Sequence, residues 1–248
     1  MMYKKISCVF ALQFFVFCLT ITAQKPVPQP GNGPFVFFDD DYNKYDWQTF
    51  YKLEAANKPI DLLNPNIELL NAAIFYACNE VRQSKNIKSF IFGRDLRDAA
   101  QRHSRQMCDS GFFGHNNRKD TSNYSPRQRV KNAGGRYFIV SENLARIIPF
   151  NLNNAKDYSP MKGENLTGSA EFKYFEKSGK DELTPCSYIE FAKKIVKYWL
   201  NQKAFQENLL STHLSHLACG IALTRYPFAR KNLPFIYVVG DLGGYKLD

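Results

Sequence analysis

Arg94-Asp95-Leu96-Arg97-Asp98-Ala99-Ala100-Gln101-Arg102-His103-Ser104-Arg105-Gln106-Met107-Cys108-Asp109-Ser110-Gly111 is the stretch from which the rest of the chain can be read. Leu96, Ala99, Ala100, His103 and Met107 recur at helical spacing and share one face, while the charged residues take the other. Gly111 supplies the left-handed residue that ends a helix. The spacing therefore predicts a helix over 94–110. Directly after it, Phe112-Phe113-Gly114-His115 places an imidazole on an exposed turn, where it is free to bind a metal or to shuttle protons. Further on, Ser141-Glu142-Asn143-Leu144-Ala145 sets a carboxylate at the end of a short strand running from Tyr137 to Val140. A carboxylate among apolar residues is either paired or functional, because a lone buried charge is costly.

Outward from this stretch, Asn64 and Pro65 offer a helix start. Ile67, Leu70, Ile74, Ala77, Cys78 and Val81 follow at helical spacing. Ser125-Pro126-Arg127-Gln128 opens a short helix with a capping box, stopped at Gly134-Gly135. Ser187 and Glu190 make another capping box, ahead of a strong helix with Tyr188, Ala192, Ile195 and Trp199 on one face. Leu217 to Thr224 and Phe235 to Leu242 read as strands. Helices on both sides of a few late strands give an α/β fold, an α–β–α sandwich around a small sheet. The strands are too few and too late for a doubly wound nucleotide fold, and no Gly-rich phosphate loop appears. Residues 147–186 carry few periodic signals and read as an insertion. Residues 24–65 form an N-terminal arm, irregular at Pro26, Pro28 and Pro30, whose aromatic segment around Trp47, Phe50 and Tyr51 packs on the body of the protein. Asp39-Asp40-Asp41 is not an EF-hand loop, since the twelfth position is Phe50 rather than Glu.

The chain has 248 residues, 44% hydrophobic and 23% charged, with 33 Lys and Arg against 23 Asp and Glu for a formal charge of +10. That is a globular composition. Lys4 and Lys5 precede an apolar run from Ile6 to Ile21 that ends in Thr22-Ala23-Gln24. This reads as a signal peptide, residues 1–23, cut after Ala23. The run is short for a membrane span of about 20 residues. The expected product is an exported protein, periplasmic or extracellular, with no transmembrane anchor after cleavage. Its basic residues are scattered, with no dense basic block interleaved with aromatics, so nucleic acid is not an expected partner. Cys8 and Cys18 leave with the signal. Cys78, Cys108, Cys186 and Cys219 remain, as disulfides whose pairing the sequence leaves open or as buried thiols. The spacings contain no Cys-x-x-Cys, which excludes zinc-finger and thioredoxin readings.

Leu96-x-x-Ala99-Ala100-x-x-His103-Ser104-x-x-Met107, then Phe112-Phe113-Gly114-His115, then Ser141-Glu142-Asn143-Leu144-Ala145 resemble the CAP superfamily of cysteine-rich secretory, antigen 5 and pathogenesis-related 1 proteins, also called the SCP domain. Asn79-Glu80-Val81-Arg82 matches the end of its first helix. Trp199, Asn201, Asn208-Leu209-Leu210 and Cys219-Gly220-Ile221-Ala222 match its last third. The motifs fall in order across residues 66–248, and the closest flavour is the bacterial, exported type. The resemblance implies an α–β–α sandwich with a central cleft holding two His and two acidic residues, where some members bind zinc or another divalent ion. His115 matches the first cleft His, and Glu142 matches the Glu of the Gly-Glu-Asn motif. The second His normally follows the Trp helix, but Phe205 stands in its place within Lys203-Ala204-Phe205-Gln206-Glu207-Asn208. Ser141 replaces the motif glycine. The usual Thr-Gln-x-Phe of the final strand reads Val239-Gly240-Asp241-Leu242.

One His and one Glu are too few for a closed zinc site, which takes about four ligands. Asp120 is a candidate second acid, and the expected cleft lining is His115, Glu142, Phe205 and Asp120. His103 reads as a core histidine hydrogen-bonded to backbone, and His213 and His216 as surface loop residues. The degenerate cleft favours a non-enzymatic binding module for a protein partner or an apolar, lipid-like ligand. The alternative is a divalent-metal-dependent hydrolase in which His115 and Glu142 hold the ion and Glu142 serves as general base on bound water. A third reading places the function in the insertion and the arm, as in an envelope protein. No Ser–His–Asp or Cys–His arrangement stands out, and Ser141 lacks the Gly-x-Ser-x-Gly elbow.

Overall fold

The computed structural model describes residues 35–152, 158–164, 170–178, 180–224 and 233–245. The proposed signal peptide and the first residues of the arm lie outside the described residues. Short helices α1 (Trp47–Phe50) and α2 (Glu54–Asn57) lead to α3 (Ile67–Ser84), β1 (Ile91–Phe92), α4 (Arg94–Ser110), α5 (Pro126–Asn132) and β2 (Ile139–Ile147). A hairpin of β3 (Tyr158–Glu164) and β4 (Ala170–Glu176) follows, then α6 (Tyr188–Leu200), α7 (Lys203–Leu210), β5 (His216–Leu223) and β6 (Ile236–Gly244).

The main sheet has the order β1-β5-β6-β2. Its three long strands are antiparallel, and the two-residue β1 joins the edge in parallel with β5. Helices α4 and α5 pack on one face, and α3 and α6 on the other. The central strands are thus covered twice, and their residues alternate between two cores. On β6, Ile236, Val238 and Leu242 join the α3–α6 core, while Tyr237 and Val239 join the α4 core. On β5, Leu217, Cys219 and Ile221 face α3, whereas Ala218 and Ala222 face α4. This is the predicted α–β–α sandwich.

Two glycines set how closely the layers approach. A Cβ on Gly220 would collide with the α4 backbone at Ala100 and Gln101, so only glycine lets α4 lie directly on β5. Gln101 then seals the contact, its amide donating to Ile221 O at 2.7 Å and its Oε1 accepting from Ile221 N at 3.1 Å. On the other face, a Cβ on Gly240 would stand 2.8 Å from the Trp199 ring. Trp199 fills that space and donates its indole N–H to Leu144 O at 3.0 Å.

Several local expectations are corrected. The cap of α3 is Asn66, which accepts from Leu69 N at 2.9 Å, rather than Asn64. Strand β2 does not stop near Val140 but runs to Ile147, because β6 pairs with it residue for residue from Ile139↔Gly244 to Ile147↔Ile236. Glu142 therefore lies inside a strand, not at its end. The insertion contains a hairpin, which its sequence pattern does not announce. No disulfide joins Cys78, Cys108, Cys186 and Cys219. Cys78 and Cys219 are buried thiols of the α3 core, Cys186 donates to Asn151 Oδ1 at 3.0 Å and Cys108 to Leu223 O at 3.4 Å. The arm packs as expected, with fully buried Phe50 stacked 4.5 Å from Tyr76 of α3.

Candidate functional site

Gly111, at φ 68°, ends α4 and turns the chain back under it. Buried His103 fixes the returning segment, its Nε2–H donating to Gly114 O at 2.9 Å. The next residue, His115, is thereby held at the edge of the sheet with its side chain 46% exposed. Asp120 caps a 3-10 turn at Thr121–Asn123, and the Ser125 capping box starts α5. That helix carries Arg129 into the interior.

Glu142 is the centre of the site. Its side chain is 1% exposed and both oxygens are engaged: Oε1 accepts from His115 Nδ1 at 2.7 Å and Oε2 from Arg129 Nη2 at 2.5 Å. The Arg129 side chain is fully buried, and Nη1 also donates to the Asn123 and Tyr124 carbonyls, both at 3.2 Å. Burial pushes the Glu142 carboxyl up, but the His115 hydrogen bond and the Arg129 charge outweigh it and hold it below the usual range. With a carboxylate on Nδ1, that ring nitrogen carries a proton and donates it to Glu142. Burial lowers the His103 imidazole, and the Arg129 charge works in the same direction against the pull of Glu142.

Phe205 stands edge-on to His115 with centroids 6.0 Å apart. Fully buried Asn143 ties its helix down, donating to Phe205 O at 3.1 Å and accepting from Asn208 Nδ2 at 2.8 Å. Asp120 is not a cleft acid: its oxygens accept from Ser122, Asn123 and Gln106, which hold its carboxyl well below the usual range. His213 lies on an exposed loop, as expected. His216 does not; it begins β5, half-buried between Tyr137 and Tyr245.

Two members of the site escape the motif reading. Arg129 is one of many basic residues along the chain, and only its place beside Val130 on the buried side of α5 marks it. Asp241 is fully buried on β6, directly opposite Glu142. The rule that flags Glu142, an acid inside an apolar strand, flags Asp241 equally.

These residues do not fit a divalent ion. Glu142 has spent its outward oxygen on His115 and its inward one on Arg129, and Phe205 has no donor atom. Among the described residues no group of three His, Cys, Asp or Glu could hold a metal. Burial raises the Cys78, Cys186 and Cys219 thiols, Cys186 to about 11, which makes these three poor nucleophiles.

The chain is thus an α–β–α module, a small sheet between helix layers with a His–Glu pair at its edge. The model of the cysteine-rich secretory protein family, CAP, matches residues 75–241, and the chain belongs to this family. Three similar solved structures are bacterial. One is an extracellular SCP-domain protein of Bacillus anthracis, 15% identical with TM-score 0.47. The match covers 74% of this chain and 43% of that one, so the chain spans less than half of that relative's length. An outer surface protein of Borrelia burgdorferi is 15% identical over 70% of this chain and 90% of its own, with TM-score 0.42. A cysteine-rich secretory protein of Staphylococcus aureus is 13% identical over 71% and 39%, with TM-score 0.40. No curated protein matches the chain. Among the described residues no helix is long and apolar enough to cross a membrane.

Proposed function

We propose that the chain is an exported CAP module that binds a partner rather than turning over a substrate, its ligand being a protein or an apolar molecule. Export rests on the signal-like residues 1–23. The observation that carries the binding reading is the engagement of Glu142: its side chain is 1% exposed, with one oxygen on His115 and the other on Arg129, so the carboxylate does not face solvent where it would hold an ion or deprotonate a bound water. Phe205 beside His115 adds apolar surface where a hydrolase of this family pattern would need a ligand. The same side of β2 continues to Arg146, whose guanidinium lies over the Phe113, Phe235 and Tyr237 rings at 5.6, 5.3 and 5.9 Å. Half-exposed Phe113 leaves part of this aromatic surface available for contact.

The test is a calorimetric titration of zinc into residues 24–248, with His115→Ala as control. No saturable binding is expected for either protein. Stoichiometric binding lost in His115→Ala would overturn the reading and restore the metal-dependent hydrolase.

A further inference from the structure

Asp241 has no place in a binding cleft, yet it is the most unusual polar residue of the fold. It is fully buried, and among the described residues neither of its oxygens has a hydrogen-bond donor. Its cross-strand partners are Glu142 on β2 and Ala218 on β5. The groups around it are few. Glu142 faces it from β2 and Arg129 from α5, and beyond Glu142 lie His103 on α4 and His115 in the following loop. Cys219, on the α3 side of β5, is a neutral thiol raised by burial.

Two carboxylates and one guanidinium closed off from water cannot all be charged, because the second negative charge has neither counterion nor hydration. Glu142 has donors on both oxygens and Asp241 has none, so a single proton goes to Asp241. We propose that Asp241 is a proton-holding site: it stands as the neutral acid at neutral pH and donates its O–H to Glu142. Glu142, Arg129 and Asp241 then form a buried unit with no net charge. A guanidinium and a proton do here the neutralising work that a metal ion does in a divalent site. Burial and the neighbouring Glu142 charge both raise the Asp241 carboxyl well above the usual range, against the opposing pull of Arg129. Asp241 is a positioning residue. By keeping Glu142 a carboxylate it keeps a His115 proton on Nδ1.

The experiment compares urea unfolding of the wild type and Asp241→Asn between about pH 5 and 9. The asparagine amide keeps a donor toward Glu142 but cannot ionise. The wild-type fold retains a proton that the unfolded chain releases above about pH 4. Relative to Asp241→Asn, its folding constant should therefore fall about tenfold per pH unit until the folded protein also ionises. Parallel pH curves would overturn the proposal. A second measurement needs no variant: infrared spectra of wild-type protein labelled with carbon-13 aspartate should show a protonated carboxyl band at neutral pH, and its absence would also overturn it. Both readouts are independent of ligand binding, so this inference and the binding reading can fail separately.

Discussion

Replacing Arg129 by Met would test the site most severely. Arg129 is fully buried, and its guanidinium neutralises a carboxylate whose side chain is 1% exposed. Met fills much of the same volume but leaves Glu142 without its counterion, and removing one partner of a buried pair costs about 3–5 kcal/mol. The Asn123 carbonyl also loses its donor, while Tyr124 O keeps the Asn117 N–H, adding about 1 kcal/mol if water does not replace it. A domain stable by about 5–15 kcal/mol would be left marginal. The assay is urea unfolding followed by the fluorescence of buried Trp199. The double variant Arg129→Met with Glu142→Leu removes both charges. It should recover at least about 2 kcal/mol, because apolar replacement of a whole buried pair is often neutral or stabilising. A loss below about 1 kcal/mol for Arg129→Met, or no recovery in the double variant, would refute the account of a buried pair that organises the site.

Gly220→Ala should destabilise by about 1–3 kcal/mol, because the new methyl meets the Ala100–Gln101 backbone and α4 must lift off β5; thermal unfolding within experimental error of the wild type would contradict this. Burial lowers the His103 imidazole, so the unfolded chain binds its proton more readily than the fold does. Its contribution to stability is present above about pH 6.5 and lost as pH falls through the lowered folded value. The acid limb of a stability profile should be shallower in His103→Gln, though not absent, since His216 shifts in the same direction; an unchanged limb would show that His103 does not titrate with folding. Phe205→His sets a second imidazole against His115 and should still show no zinc binding by calorimetry, because Glu142 stays engaged with His115 and Arg129. Binding reversed by chelator would show that the missing His, rather than the engagement of Glu142, keeps a metal out.

The sequence by itself determined the four helices α3, α4, α5 and α6 and the class of fold, because those signals are local. The face formed by Leu96, Ala99, Ala100, His103 and Met107, the cap at Ser125 and the stop at Gly111 act within a turn or two of chain, and the helices form where these place them. It also determined the likeness of His115, Glu142 and Phe205 to a known cleft, since those residues sit in contiguous motifs. Tertiary structure decided the extent of β2, because a strand's length is set by its partner and β6 lies almost a hundred residues further along. It decided that the four cysteines do not cross-link, which depends on where α3, α4, α6 and β5 come to rest. Above all it decided the charge state of the centre. Glu142, Arg129 and Asp241 come from β2, α5 and β6, and no local pattern says that the three meet. Packing them together away from water is what forces one to neutralise another and the third to keep its proton.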